Sequence, residues 1–160
     1  MTKALVIYFS KTGHTAKMAQ AVAAGFEAQR VSVTLMDVAK ATNDHLQEAD
    51  AIVLGSPCYY GSMAAEMKAF LDASVALHGK LAGKVGGAFA SSGMLGGGNE
   101  TAVLSLIEAL LIHGMVVQGN ARIGHYGPVA VGEPDEHALK ECRTYGERLG
   151  ELVTKLAPAQ

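Results

Sequence analysis

The sequence has no tryptophan, few aromatic residues and only two cysteines, Cys58 and Cys142, in 160 residues. The cysteines lie far apart and form no C-x-x-C pair, so neither a thiol–disulfide redox motif nor a cysteine zinc site is expected, and no metal site is assigned. Charge is scarce as well. Charged residues make up 18%, and 13 Lys and Arg against 15 Asp and Glu leave a net charge of −2. A chain without a basic excess is a poor partner for a phosphate backbone, which argues against nucleic acid. No apolar run is long enough to span a bilayer, so no membrane partner is expected. The first residues enter a strand at once with no charged leader, and the cytoplasm is the expected compartment, where a structural disulfide is also not expected. Two nucleotide motifs are missing: no G-x-G-x-x-G follows the first strand, and G-x-x-x-x-G-K-[ST] occurs nowhere. The ends of the first and third strands, at Ser10 and Gly55-Ser56, carry no carboxylate, which argues against a phospho-receiver.

What the chain does hold is apolar: 49% of its residues, enough for one core and one domain over 1–160. Lys3 to Phe9 is an apolar run typical of a buried parallel strand. Met18, Val22 and Phe26 then mark one face of a helix over 16–28. Strands are expected at 31–37, 51–55, 84–90 and 115–118. Helices are expected at 42–49, 63–77, 100–113 and 135–156, with Asn99 as a cap. Alternation of strand and helix predicts an α/β fold, with a five-stranded parallel sheet of order 2-1-3-4-5 between two helical layers.

Such sheets bind ligands beyond the carboxyl ends of their strands, near the point where strand order reverses. Three unusual connections follow the first, third and fourth strands, at 10–15, 56–62 and 91–98, and strand order makes them neighbours. Ser10-Lys11-Thr12-Gly13-His14-Thr15 offers hydroxyls, one glycine and a helix start, which suits a phosphate. Its alternative is a helix cap at Ser10 or Thr12. Lys11 reads as solvated. Ser56 to Ser62 brings Tyr59 and Tyr60, which would border a flat ligand, although one of them is expected to pack on the following helix. Ser91-Ser92 and the Gly96-Gly97-Gly98 run can turn backbone N–H groups toward a polar rim. A phosphate at one end and a planar heterocycle at the other read as FMN.

Ser10-x-Thr12-Gly13-x-Thr15 resembles the phosphate loop of the flavodoxin superfamily. Gly55 to Met63, Phe70-Leu71-Asp72, Leu81 to Lys84, Phe89 to Gly93, Gly96 to Thr101 and His113 to Val117 resemble the WrbA-like NAD(P)H:quinone oxidoreductases. The resemblance runs over nearly the whole chain and implies a flavodoxin-like three-layer fold. It implies that Ser10, Lys11, Thr12, Gly13, His14 and Thr15 hold the FMN phosphate. Pro57, Cys58, Tyr59, Tyr60 and Gly61 would border the isoalloxazine, and Ser91, Ser92, Gly93 and Gly97 its pyrimidine side. His113 matches a family histidine at the open face and becomes the candidate catalytic residue. There are departures: the segment between Asp37 and Ala51 is short, and 77–80 lacks the family's tryptophan region. Both bear on the family's tetramer, so a homo-oligomer stays open. Cys58 stands where the family usually has a small hydroxyl residue, and is either redox-active or a spacer.

Two functions remain at this level. An FMN-dependent oxidoreductase would pass electrons from NADH or NADPH to a small-molecule quinone, with His113 lining the pocket and His125 or Tyr126 closing it. A flavodoxin-type carrier would instead exchange electrons with redox proteins. Carriers of that kind tend to be acidic around the flavin, and the near-neutral charge favours the oxidoreductase. His113 has a second reading, as a favourable charge at a helix end.

Overall fold

The computed structural model describes residues 1–157; Pro158–Gln160, expected to share the domain, lie outside the described residues. Among the described residues six strands and five α-helices follow in the order β1 (Lys3–Tyr8), α1 (His14–Ala28), β2 (Ser32–Asp37), α2 (Asn43–Glu48), β3 (Ala51–Pro57), α3 (Ala65–Ala73), β4 (Val85–Ser92), α4 (Asn99–Ile112), β5 (Val116–Val117), β6 (Val129–Val131) and α5 (Glu136–Leu156). The sheet order is β2-β1-β3-β4-β5, with β6 also on β4, and the pairings are parallel. Among the described residues no helix is long and apolar enough to cross a membrane.

Successive strand side chains point to opposite faces. In β1, Leu5 and Ile7 join a core with Leu54, Met67 and Leu106 on one side of the sheet. Ala4 and Val6 join Met18, Val22, Phe26, Tyr145 and Leu149 on the other. Both faces are therefore buried, which explains why the central strands read as unbroken apolar runs. On the second face α1 and α5 meet almost backbone to backbone: a Cβ at Gly25 would stand 2.1 Å from the Arg143 carbonyl oxygen, and one at Gly146 2.1 Å from that of Val22.

The structure departs from the expected boundaries in three places. β3 does not stop at Gly55 but continues to Pro57, paired with Ser91. The nitrogen of Pro57 faces the β1 side, where the Phe9 N–H still donates to the Gly55 carbonyl, and its missing N–H ends that ladder there. β4 likewise runs through Ser91 and Ser92, which are strand residues and not part of a loop. Lastly, the fifth position of the sheet is shared. β5 pairs with Val85 and Gly86, β6 pairs with Ala90–Ser92, and the chain between them leaves the sheet. In the gap the Ala88 N–H donates to the Tyr145 hydroxyl, 3.1 Å away. Burial pushes that phenol up to about 12, which keeps it protonated and its oxygen available as an acceptor.

Candidate functional site

The connections after β1, β3 and β4 leave the carboxyl ends of three adjacent strands and face one another. In the first, Gly13 caps α1 from the left-handed region, at φ 95°, and no side chain bonds to the helix end. Ser10 Oγ instead accepts the Gly13 N–H at 3.1 Å, so the capping alternative for Ser10 and Thr12 does not hold. The Ser10 hydroxyl keeps its proton free to donate. The first-turn amides of α1 are left uncapped by side chains, with the positive end of the helix dipole behind them. A Cβ at Gly13 would meet nothing within 4 Å, so a ligand can approach the backbone closely. Lys11 and Thr12 are exposed and His14 is half-buried. Thr15 is buried, and its hydroxyl lies 2.9 Å from that of Ser91. That bond ties the first connection to the end of β4.

The second connection is a tight hairpin. Tyr59 and Ser62 exchange backbone hydrogen bonds of 2.9 and 3.2 Å. Tyr60 and Gly61 between them have φ of 49° and 78°, the signs that a type I′ turn needs at both central positions. Gly61 adopts this freely, whereas for Tyr60 it is a strained conformation. The Tyr60 ring stands wholly in solvent at the tip of this turn. The Tyr59 ring meets Phe9 edge-on, with centroids 6.5 Å apart. Tyr59 is itself exposed, and the contact it makes is with Phe9 just past β1. Pro57 and Cys58 are half-buried, and the Cys58 N–H donates to the Ser91 carbonyl at 2.6 Å.

In the third connection Ser92 Oγ and the Gly97 N–H both donate to the Met94 carbonyl, at 3.0 and 3.1 Å. Gly93 is exposed and Gly97 half-buried, and Met94 and Leu95 stand exposed at the rim. Gly98, not Asn99, caps α4, with φ 85° and again no capping side chain. Asn99 is the first helical residue. Gly98 lies in the glycine run expected to turn N–H groups toward a ligand, but its place as the helix cap was missed, although a glycine directly before a helix start is a visible cue. Phe9, which backs Tyr59, was also missed.

Two uncapped helix starts, a glycine cradle open to solvent and an exposed aromatic at the rim fit a ligand with an anionic tail and a flat polar head. FMN is such a ligand. Of the loop residues expected from the sequence, Thr15, Cys58, Ser91 and Gly97 are joined directly by hydrogen bonds, and the others lie on the same three connections.

His113 is not among them. α4 starts beside the third connection and runs back along the sheet for 14 residues, roughly 20 Å at 1.5 Å per residue. His113 follows its last turn, level with the start of β4, where Val116 N–H donates to the Lys84 carbonyl. Its Nε2 lies 2.8 Å from Ser74 Oγ, and its buried Nδ1 has no partner. Within the chain, the candidate catalytic histidine therefore stands at the opposite end of the sheet. Burial lowers its pKa, with His78 adding to the effect, which favours the neutral ring and works against the helix-end charge as well. His125 and Tyr126 lie on the excursion between β5 and β6. With Arg122, Glu100 and Val103 they line a cavity of about 310 Å³ beside the first turn of α4.

Comparison with known proteins yields the same picture. The profile of the NADPH-dependent FMN reductase family matches residues 2–126. A protein named flavodoxin from Aquifex aeolicus is 41% identical, over 96% of this chain and 88% of its own length. An NAD(P)H dehydrogenase (quinone) from Solidesulfovibrio magneticus is 39% identical over 95% of this chain and 98% of its own. Among solved structures, the flavodoxin, WrbA-like protein from Agrobacterium tumefaciens superposes with a TM-score of 0.83 at 30% identity, covering 97% of this chain and 99% of its own.

Proposed function

The chain belongs to the NADPH-dependent FMN reductase family, and from that premise we propose that it is an FMN-dependent oxidoreductase passing electrons from NADH or NADPH to a quinone. The observation that carries the reading is the crevice itself, where an uncapped, glycine-lined helix start faces a rim of exposed aromatic and apolar side chains. When bound, FMN supplies the redox chemistry, a ring that takes up a hydride and gives up electrons.

The protein's part is to hold and orient. Ser10, Thr12, Gly13, His14 and Thr15 would bind the phosphate through backbone N–H groups and hydroxyls, with Lys11 adding charge at the edge. Neutral donors at a helix start suit a phosphate monoester that is held and not transferred. Pro57, Cys58, Tyr59, Tyr60 and Gly61 would border the ring on one side, and Ser91, Ser92, Gly93 and Gly97 its pyrimidine edge. Tyr60, Met94 and Leu95 give the open face an apolar lip, which suits a neutral planar acceptor. Arg122, His125 and Tyr126 stand near enough to α4 to receive the polar part of a dinucleotide donor. The two free thiols accord with a reducing, cytoplasmic setting.

The identity to a protein named flavodoxin favours a second reading, a carrier that exchanges electrons with redox proteins. One experiment separates the two. The FMN-loaded protein is titrated anaerobically with NADH and then NADPH while flavin absorbance is followed, and benzoquinone is added afterwards. Bleaching by either nucleotide, reversed by the quinone, is the expected result. No bleaching by either would overturn the oxidoreductase in favour of the carrier.

A further inference from the structure

Cys58 joins the second connection to the third through both its backbone and its side chain. Besides the N–H bond to Ser91, its Sγ lies 3.1 Å from the Gly97 carbonyl oxygen and 3.0 Å from that of Gly98. A thiol has one proton, so the two carbonyls share a single S–H. These carbonyls belong to the last turn before α4. The Gly98 oxygen also accepts from the Ala102 N–H at 3.0 Å and from Thr101 Oγ1 at 2.8 Å. On the Gly98 side the sulfur is closely packed: a Cβ at Gly98 would stand 3.1 Å from Sγ and 3.0 Å from the Gly61 Cα.

The peptide plane gives this contact a consequence. No cis peptide bond occurs among the described residues, and in a trans peptide the N–H points away from the preceding C=O. Drawing the Gly97 and Gly98 carbonyls toward the sulfur therefore fixes the directions of the Gly98 and Asn99 N–H groups. The Gly97–Gly98 peptide has glycine on both sides and is the freer of the two to turn, whereas the Gly98 carbonyl is also held by the Ala102 N–H and Thr101 Oγ1. We propose that Cys58 is a positioning residue: its S–H locks the peptide orientation of the 97–98 turn and so sets the affinity and midpoint potential of FMN in the crevice. The FMN part rests on the function proposed above. The role differs from both readings of the sequence, since the thiol acts as a donor and neither reacts nor merely fills space.

Three variants separate a donor from a filler. Cys58→Ser keeps a donor, Cys58→Val keeps bulk without one, and Cys58→Ala keeps neither. Each is compared with the unaltered protein for FMN affinity by fluorescence quenching and for midpoint potential by dye equilibration. Amide hydrogen exchange at 97–101 is measured in the flavin-free protein. Losing the shared S–H bond at this glycine turn should raise the FMN Kd about tenfold in the Ala and Val variants and speed exchange at 97–101 by a similar factor. Both variants should also shift the potential, and Ser should restore all three to within about threefold. If Val behaves like the unaltered protein while Ser behaves like Ala, the sulfur is a spacer and the proposal falls. It falls equally if all variants match the unaltered protein. Failure of the unaltered protein to bind FMN would overturn the effect on affinity and potential. Exchange data from the flavin-free chain would then show that the cofactor reading failed and not the tether.

Discussion

The two ends of the sheet differ in how the helix starts and strand ends nearest the crevice and nearest Lys84 are closed. At the amino end, side chains close the open groups: Asp50 Oδ2 accepts the Lys3 N–H at 2.8 Å, and Ser74 meets His113 Nε2 at the same distance. Lys84 Nζ donates to the Gln47 and Ala49 carbonyls. Burial there lowers the Lys84 pKa while Asp50 draws it back up. At the carboxyl end, Gly13 and Gly98 cap α1 and α4 with no side-chain bond. Unused donors cost little where water can reach them, and they become binding capacity when a ligand replaces that water. One end of the sheet thus supplies cohesion and the other recognition, and substitutions at the two ends should separate stability from affinity.

The largest expected effect is at Gly13. Gly13→Val places a β-branched residue where φ is 95°, but its Cβ meets no neighbour. The cost to the flavin-free fold should stay at about 1–2 kcal/mol, the ordinary penalty for a left-handed residue. The loop would relax away from that conformation and turn its amides off the phosphate, raising the FMN Kd on the order of 100-fold, as loss of two or more charge-assisted bonds implies. Urea unfolding and a fluorescence titration measure both quantities. A large loss of stability with unchanged FMN binding would erase the distinction between the ends.

Lys84→Met is the counterpart at the amino end. It keeps the aliphatic stem and removes a charged donor shared by two carbonyls, a loss of about 2 kcal/mol. FMN affinity should stay within about twofold, because the site lies a full strand length away. A tenfold weaker affinity, read in the same titration, would mean that the ends are coupled through β4.

How far the sequence discloses this division depends on the element. The apolar runs at β1, β3 and β4 carry the fold because both faces of the sheet are covered, so nearly every residue must be apolar. The positions of the strand ends are less legible. Ser91 and Ser92 look like loop residues, yet they belong to β4 because β6 pairs beside them. β6 itself is three residues inside a glycine- and proline-rich stretch, and only the Val129-Ala130-Val131 run hints at it. The crevice was legible as three loops after three adjacent strands, since hydroxyls and glycines at strand ends have a chemical reason to be there. The left-handed Tyr60 was not, because a tyrosine gives no sign of a positive φ. The position of His113 was illegible for a different reason. A motif matched along the chain says nothing about which end of a 14-residue helix it occupies, and that end decides what the side chain can touch.

His113 also gives the smallest effect by which the comparison can be sharpened. Its folded pKa lies below the ordinary histidine value because burial penalises the charged ring, with His78 second. Between the folded pKa and that value the unfolded chain holds more protons than the native one, so stability rises with pH across this window and levels off above it. Acidification through the window removes that contribution, at no more than about 1.4 kcal/mol per pH unit for one proton. His113→Gln keeps a partner for Ser74 and cannot titrate. Its urea midpoint should therefore fall less between pH 7 and pH 5 than that of the unaltered protein, while FMN affinity at pH 7 stays the same. An equal fall in both proteins would show that the acid sensitivity belongs to other groups. A weakened FMN affinity would return His113 to the binding site through a second copy of the chain, the one route by which a residue at the amino end could reach a crevice at the other.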